Sequence, residues 1–265
     1  MRINYLFFVG SLFCLIGLWG CGDEAQFSTT CVPANLQNGV IAFYPFSNGS
    51  LDDASSFNND LTNATTAIPT SDRNGNSNCA YLFSNDSSTY EALTLANPTF
   101  LDGLSSFSVS IWYQPLDTTR PGGEFEVLLS RGDQGRCPDR SGEWSLALYD
   151  CRRAVFGHDN SVWAEEVSDI SISGCQGEIN ELTDQWHHVV AVKNGNSFQI
   201  YFDGVLHEST SGAGNCGGGN QLAQDIGDLY IGQDFVGRLD DILIYDRALA
   251  STEVMNLFLL DPCCE

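Results

Sequence analysis

Between Trp186 and Glu208 the chain alternates apolar and polar residues and is cut twice by glycine turns. Trp186-His187-His188-Val189-Val190-Ala191-Val192-Lys193 runs into Asn194-Gly195. Ser197-Phe198-Gln199-Ile200-Tyr201-Phe202 then runs into Asp203-Gly204, and Val205-Leu206-His207-Glu208 follows. Asn-Gly and Asp-Gly supply the positive φ that tight hairpin turns require, with Asn196 lengthening the first loop slightly. Three runs joined this way form an antiparallel meander. Phe198, Ile200 and Phe202 share one face, so one side of the sheet is packed.

The same alternation recurs elsewhere. Phe107-Ser108-Val109-Ser110-Ile111-Trp112-Tyr113 puts Phe107, Val109, Ile111 and Tyr113 on one face, and Trp144–Tyr149 is a similar run. Only Ser251–Leu260 reads as helix. Ser251 can cap it, Glu253 complements its positive end, and Val254, Leu257 and Phe258 line one stripe. Strands nearly throughout with one short C-terminal helix predict an all-β fold, a two-sheet antiparallel sandwich. No internal repeat or second domain is visible. With 43% hydrophobic residues in 265, one large domain over residues 38–260 is expected, followed by a tail at 261–265.

The N-terminus reads as a targeting segment. Met1-Arg2 precedes the apolar run Ile3–Leu18, which is the length of a signal-peptide core and too short for a membrane span. Residues 1–20 are therefore expected to be a signal peptide. Leu18-Trp19-Gly20-Cys21 resembles a bacterial lipobox, so Cys21 is the expected lipidation site and residues 21–37 a polar tether. An ordinary secretion signal cut nearby is the alternative. Lipid chains would hold the protein stably, since each buried methylene contributes about 0.8 kcal/mol. Of ten cysteines, Cys14 falls in the signal and Cys21 in the anchor. Cys31, Cys79, Cys137, Cys151, Cys175, Cys216, Cys263 and Cys264 remain, an even set expected to form disulfides after export. Cys137 and Cys151, flanking Arg140–Tyr149, are an expected pair. The balance of 11 basic against 34 acidic residues, formally −23, excludes a nucleic-acid partner and adhesion to anionic lipid headgroups. Contact with a membrane is expected through the lipid anchor only.

Several separated segments carry a family resemblance in order and spacing. They are Gly39–Phe46, the acidic Asn-rich loop Leu51–Leu61, Phe107–Tyr113, Trp186–Val192, Tyr201–Val205, Leu229–Gly232 and the closing Gly237–Leu249. Together they resemble the laminin-G-like (concanavalin A-like) jelly-roll family. The resemblance implies that the first and last strands are neighbours, and hence that Cys31 meets Cys263 or Cys264. It implies loops or a sheet face that bind carbohydrate or protein, often with structural calcium. Here the implied calcium ligands are Asp240, with Asp241, and the Asn48–Asp53 loop, with Asn48 and Asp53 as donors. By strand alternation Asp240 shares a face with Ile242 and Ile244, which would turn its carboxylate toward the sandwich interior, where it needs a cation or several donors.

Catalysis has less support. Glycoside hydrolysis needs two carboxyls placed across the sugar bond, and Glu124-Phe125-Glu126 reads as an exposed loop edge. His187 and His188 are consecutive strand residues facing opposite sides, so they cannot hold one ion together. Arg131-Gly132-Asp133 is an adhesion-type tripeptide that turn chemistry also explains. Trp163, in the polar stretch after His158, could stack on a sugar ring and is the candidate ligand-binding residue; a packed or loop-anchoring tryptophan is the alternative. The expected function is a non-catalytic binding module for glycan or protein, exported to the cell envelope as an outer-membrane lipoprotein facing the surface or periplasm. A structural or interaction protein of the envelope and a divergent glycosidase are the alternatives.

Overall fold

The computed structural model describes residues 31–86, 88–116, 125–132, 143–149, 153–158, 162–165, 183–211 and 227–265. In chain order the strands are β1 (Val40–Tyr44), β2 (Ile68–Thr70), β3 (Ala80–Ser84), β4 (Leu93–Leu95), β5 (Ser106–Pro115), β6 (Phe125–Arg131) and β7 (Trp144–Tyr149). They continue with β8 (Arg153–His158), β9 (Val162–Glu165), β10 (His187–Asn194), β11 (Ser197–Phe202), β12 (Val205–Ser211), β13 (Leu229–Ile231) and β14 (Val236–Tyr245). Among the described residues, two α-helices flank them, α1 (Ala34–Gln37) and α2 (Ser251–Phe258).

The strands form two antiparallel sheets. The larger runs β12-β11-β10-β5-β14-β3-β2, with β1 against the second half of β14. The smaller runs β4-β13-β6-β7-β8-β9. The expected meander is β10-β11-β12. Gly195 (φ +57°) takes the first place of a two-residue loop, so Asn194 pairs directly with Ser197 and Asn196 adds no length. Asp203 and Gly204 both take positive φ at the second turn, as a mirror-image tight turn requires. The opening and closing strands are neighbours, with Val40 opposite Tyr245 and Tyr44 opposite Ile242.

Alternation along β5 sorts the interior. Phe107, Val109, Ile111 and Tyr113 join Leu129, Leu146 and Phe156 of the smaller sheet in the main core. A second core lies on the other side of the larger sheet. There Phe43, Val190, Val192, Leu243 and Tyr245 pack with Val254 and Leu257 of α2 and with Val32 and Leu36. The expected tether thus ends earlier than residue 37, because Val32 and Leu36 are buried. The expected tail is likewise part of the fold: Cys31 is bonded to Cys263 and Cys79 to Cys264, with Cα separations of 5.4 and 5.5 Å. Cys21, Cys137, Cys151, Cys175 and Cys216 lie outside the described residues. Ser251 does not cap α2. Ala250 holds the cap position, the Glu253 carboxylate accepts the Ala250 N–H at 2.8 Å, and the Ser251 hydroxyl meets the Tyr201 hydroxyl at 3.0 Å.

Gly232 shows how tightly the sheets close. Its φ is +79°, and a Cβ there would overlap the buried Phe83 ring. Gly232→Ala would combine backbone strain with overpacking, so a loss of about 2–4 kcal/mol is expected, read as a lower denaturation midpoint at unchanged slope.

Candidate functional site

The chemistry concentrates at an irregularity in β14. Asp240 lies opposite Trp112, while Leu243 lies opposite Ser110. Three steps on β14 therefore match two on β5, which makes a bulge with one extra residue. Asp241 takes φ +44° there. The insertion shifts the alternation: Leu239 and Ile242 both reach the main core, and Asp240 stands on the Trp112 side. This corrects the expectation that Asp240 shares the face of Ile242 and Ile244; uninterrupted alternation does not hold across a bulge.

Both carboxylates are buried and meet one guanidinium. Arg73 Nη1 donates to Asp240 Oδ2 at 2.9 Å and to Asp241 Oδ2 at 2.7 Å. Its Nη2 donates to the Leu260 carbonyl at 3.1 Å, and its Cζ sits 4.3 Å from the Trp112 ring centroid. Asp241 Oδ2 also accepts the Cys263 N–H at 3.1 Å. Trp112 stacks on Phe258 with 5.6 Å between centroids. One arginine from the loop before β3 thus joins the bulge, a strand tryptophan and the C-terminal segment that carries both disulfides.

The expected calcium ligands are not brought together. Asp53 Oδ1 accepts the N–H groups of Phe43 and Ser55 at 2.9 and 2.8 Å, and Oδ2 accepts the Ser55 hydroxyl and the Asn59 N–H at 2.7 and 2.9 Å. Those are the lone pairs a metal would use. Asn48 donates its side-chain amide to the Glu265 carbonyl at 2.9 Å. A cavity opens beside Ser47, Asp52, Asp53 and Glu265, and Asp240 and Asp241 are not among its walls. The cation between Asp240 and Asp241 is Arg73. Among the described residues, the trio of metal-capable side chains that converges within 4.8 Å is Asp72, Cys79 and Cys264. Its two sulfurs are bonded to each other. These residues do not fit a calcium ion.

Burial sets the protonation states here. It raises Asp241 to about 6, against the pull of Arg73. Burial and the neighbouring Asp241 raise Asp240 well above the ordinary carboxylate range. Burial and then Arg73 lower His188 to about 3. His188 is the neutral partner of Ser110, with 2.8 Å between Nε2 and Oγ. His188 Nδ1 and Asp241 Oδ1 find no hydrogen-bond partner among the described residues, and both residues line a cavity beneath Leu257 and Leu260. His187 faces the other way and meets Asp203 Oδ2 at 3.1 Å, as expected for consecutive strand residues.

Two other candidates change character. The Arg131 side chain is buried and paired with Asp102 rather than displayed; Asp133 lies outside the described residues. Glu126 is a buried residue of β6 rather than part of an exposed loop edge, and Glu124 lies outside the described residues.

A feature that sequence reading missed crosses the smaller sheet on its outward face. Thr94, Tyr230, Ser130, Ser145, Gly157 and Trp163 are paired in succession across β4-β13-β6-β7-β8-β9. Their strand neighbours Leu93, Leu229, Leu129, Leu146 and Phe156 all enter the main core, so the row's positions on β4, β13, β6, β7 and β8 face outward. Thr94 and Tyr230 are half-buried. Ser130 and Ser145 are enclosed, and their hydroxyls have no partner among the described residues. A parallel apolar row, Val127, Ala147 and Val155, lies beside them. Trp163 occupies one end of the hydroxyl row; its side chain lies outside the described residues. Serines spaced far apart in sequence carry no signal of this kind until strand register aligns them.

The sequence matches the Laminin_G_3 family, described as the concanavalin A-like lectin/glucanases superfamily, over residues 86–255. The chain belongs to that family. Among solved structures, it is similar to the binding domain of botulinum neurotoxin DC in complex with SialylT (15% identity, TM-score 0.60). That match covers 84% of this chain and 52% of the other. The same toxin domain in complex with rat synaptotagmin II gives 15% identity and TM-score 0.59, over 84% and 52%. Domain 4 of AbnA, a GH43 extracellular arabinanase from Geobacillus stearothermophilus, in complex with arabinotriose, gives 17% identity and TM-score 0.56, over 82% and 97%. The chain spans about half the length of the toxin domains it matches. Among curated proteins, none matches. At these identities the likeness establishes the fold, a jelly-roll sandwich shared with binding domains.

The buried acids and His188 give opposite pH effects. The native state takes a proton on Asp241 near 6, whereas an unfolded aspartate waits until 3.8, so acidification between those values favours the native state. His188 gains its proton near 6.5 when unfolded and near 3 when folded, so acidification from 6.5 disfavours it. The two single-proton effects cancel between about pH 6 and 4, and Asp240 leaves the balance on the native side. Asp241→Asn removes one acid contribution. Relative to wild type, its unfolding free energy is expected to fall by about 1 kcal/mol for each pH unit from 6 to 4, in urea titrations. Parallel pH profiles would contradict this assignment.

Proposed function

We propose that this chain is a non-catalytic binding module. It recognises carbohydrate through the outward face of the smaller sheet and is held at the cell envelope by lipid on Cys21. The observation that carries the reading is the row Thr94–Tyr230–Ser130–Ser145–Gly157–Trp163. It sets the Ser130 and Ser145 hydroxyls, which find no hydrogen-bond partner among the described residues, beside an apolar row, with aromatic positions at Tyr230 and Trp163. A sugar ring has the same two-sided character, hydroxyls at its rim and apolar C–H faces. Sites that bind such ligands pair apolar surface with a few placed polar groups. The row begins at its half-buried end, Thr94 and Tyr230, which gives a ligand an entry. The solved neighbours in complex with SialylT and arabinotriose support a glycan ligand, and the neighbour in complex with synaptotagmin II supports a protein one. The buried carboxylates Asp240 and Asp241 are occupied in holding Arg73, which supports a role without catalysis.

A glycan array followed by calorimetry of the strongest hit tests this. Tyr230→Ala is expected to weaken binding about tenfold, the loss of one aromatic contact of roughly 1.4 kcal/mol. Chelation of divalent ions is expected to leave the affinity unchanged, because Asp53, Asp240 and Asp241 are already engaged by protein donors. A hit indifferent to both Tyr230→Ala and Ser145→Ala would move the site off this face, and silence across the array would remove the glycan reading.

A further inference from the structure

Among the described residues, the flank of α2 presents apolar side chains in an otherwise acidic chain. Met255 and Leu259 are one helical turn apart on a single stripe, joined by the Leu259 N–H to Met255 carbonyl bond of 3.2 Å. Met255 rests on Gly204, where an added Cβ would lie 3.0 Å from its Sδ. Gly204 leads directly into Val205 and Leu206, the first residues of β12. Leu206 pairs with Tyr201, whose hydroxyl touches Ser251 at the start of α2. Leu206 and Leu259 are 44% and 69% exposed, while Val205, paired with Phe202, takes the opposite face of β12. The other exposed side chains of α2 are Ser251, Thr252 and Asn256. Its one carboxylate, Glu253, is held by Arg247 at 2.9 and 2.7 Å. In a chain of formal charge −23, Leu206, Met255 and Leu259 make an uncharged apolar flank.

The place where the chain leaves the described fold says what covers that flank. Cys31 is bonded to Cys263, four residues beyond Leu259. Residues 22–30 then separate Cys31 from Cys21, and a fully extended segment of that length reaches roughly 30 Å. A lipid on Cys21 therefore confines this end of the molecule to within a domain's width of the bilayer. Charged side chains lose hydration at a headgroup boundary, so the uncharged flank is the side that can approach it.

We propose that the flank formed by Leu206, Met255 and Leu259 rests on the zwitterionic lipid surface. Because α2 covers the outer side of the larger sheet, this orientation turns the outward face of the smaller sheet, with its hydroxyl row, away from the membrane. The inference rests on the anchoring of Cys21 proposed above. An apolar flank buried at the headgroup boundary beside a covalent lipid is a two-signal attachment: the lipid supplies retention and the flank supplies orientation.

Hydrogen exchange on the mature protein tests it, with Cys21 coupled to a maleimide headgroup in phosphatidylcholine vesicles. Compared with free protein, residues 203–208 and 255–261 are expected to exchange at least threefold more slowly, without comparable protection elsewhere. The double variant L206E/L259E is expected to lose that protection while still floating with the vesicles and unfolding at the same denaturant midpoint. Unchanged exchange in the tethered wild type, or protection that survives in the variant, overturns the docking. Mass spectrometry of Cys21 in protein from the producing cells reports on the anchor separately. An unacylated Cys21 overturns the anchor and this inference with it, whereas an acylated Cys21 with unchanged exchange overturns the docking alone.

Discussion

One guanidinium between two buried carboxylates holds this molecule's terminal architecture together. Arg73 bridges Asp240 and Asp241 at the bulge of β14, covers Trp112, and reaches the Leu260 carbonyl. Two negative charges at such a depth would be costly alone. Arg73 offsets part of that cost, and the raised proton affinity of both acids supplies another part. The bulge also opens the single break along the flank of β14, with β3 paired before it and β1 after it. The C-terminal segment closes over that break, and Cys263 and Cys264 tie it to Cys31 and Cys79.

What the sequence made legible follows from how local its causes are. Gly195, Asp203 and Gly204 take positive φ because of their own chemistry, so the meander could be placed without any other part of the chain. The alternation of Phe107, Val109, Ile111 and Tyr113 likewise assigned one face of β5 to the main core. Asp240 shows where that logic stops. Its side depends on one inserted residue, and insertion is visible only against the partner strand, where Trp112 and Ser110 fix the count. Arg73 gave no signal, because a lone arginine in a polar loop acquires meaning only through carboxylates more than 160 positions away. Val32 and Leu36 looked like tether because two apolar residues in a polar stretch have no periodicity. They are buried because Cys31 is fastened beneath α2.

The same division applies to the sites. Of the implied calcium quartet of Asn48, Asp53, Asp240 and Asp241, Asp53 already accepts from Phe43, Ser55 and Asn59, Arg73 holds Asp240 and Asp241, and Asn48 turns its amide to Glu265. The hydroxyl row from Thr94 to Trp163 could not be read from residues scattered between positions 94 and 230, since register alone aligns Tyr230 with Ser130 and Ser130 with Ser145. The fold is thus shared with lectin-like binding domains. The side covered by α2 carries the bonds from Cys263 and Cys264 to Cys31 and Cys79, and the opposite side carries the row proposed above to meet a sugar.

The central claim is that Arg73 is needed because two acids are buried at the bulge, not because its own packing is indispensable. Chemical denaturation of Arg73→Met, of D240N/D241N, and of the triple combination at pH 7 tests it most directly. Arg73→Met alone is expected to cost about 3–5 kcal/mol by leaving the acids without their cation, and neutralising both acids in the same molecule is expected to recover most of that loss. Equal losses from Arg73→Met in the presence and absence of the two carboxylates would show that the ion cluster is not what holds the closing strand and tail in place.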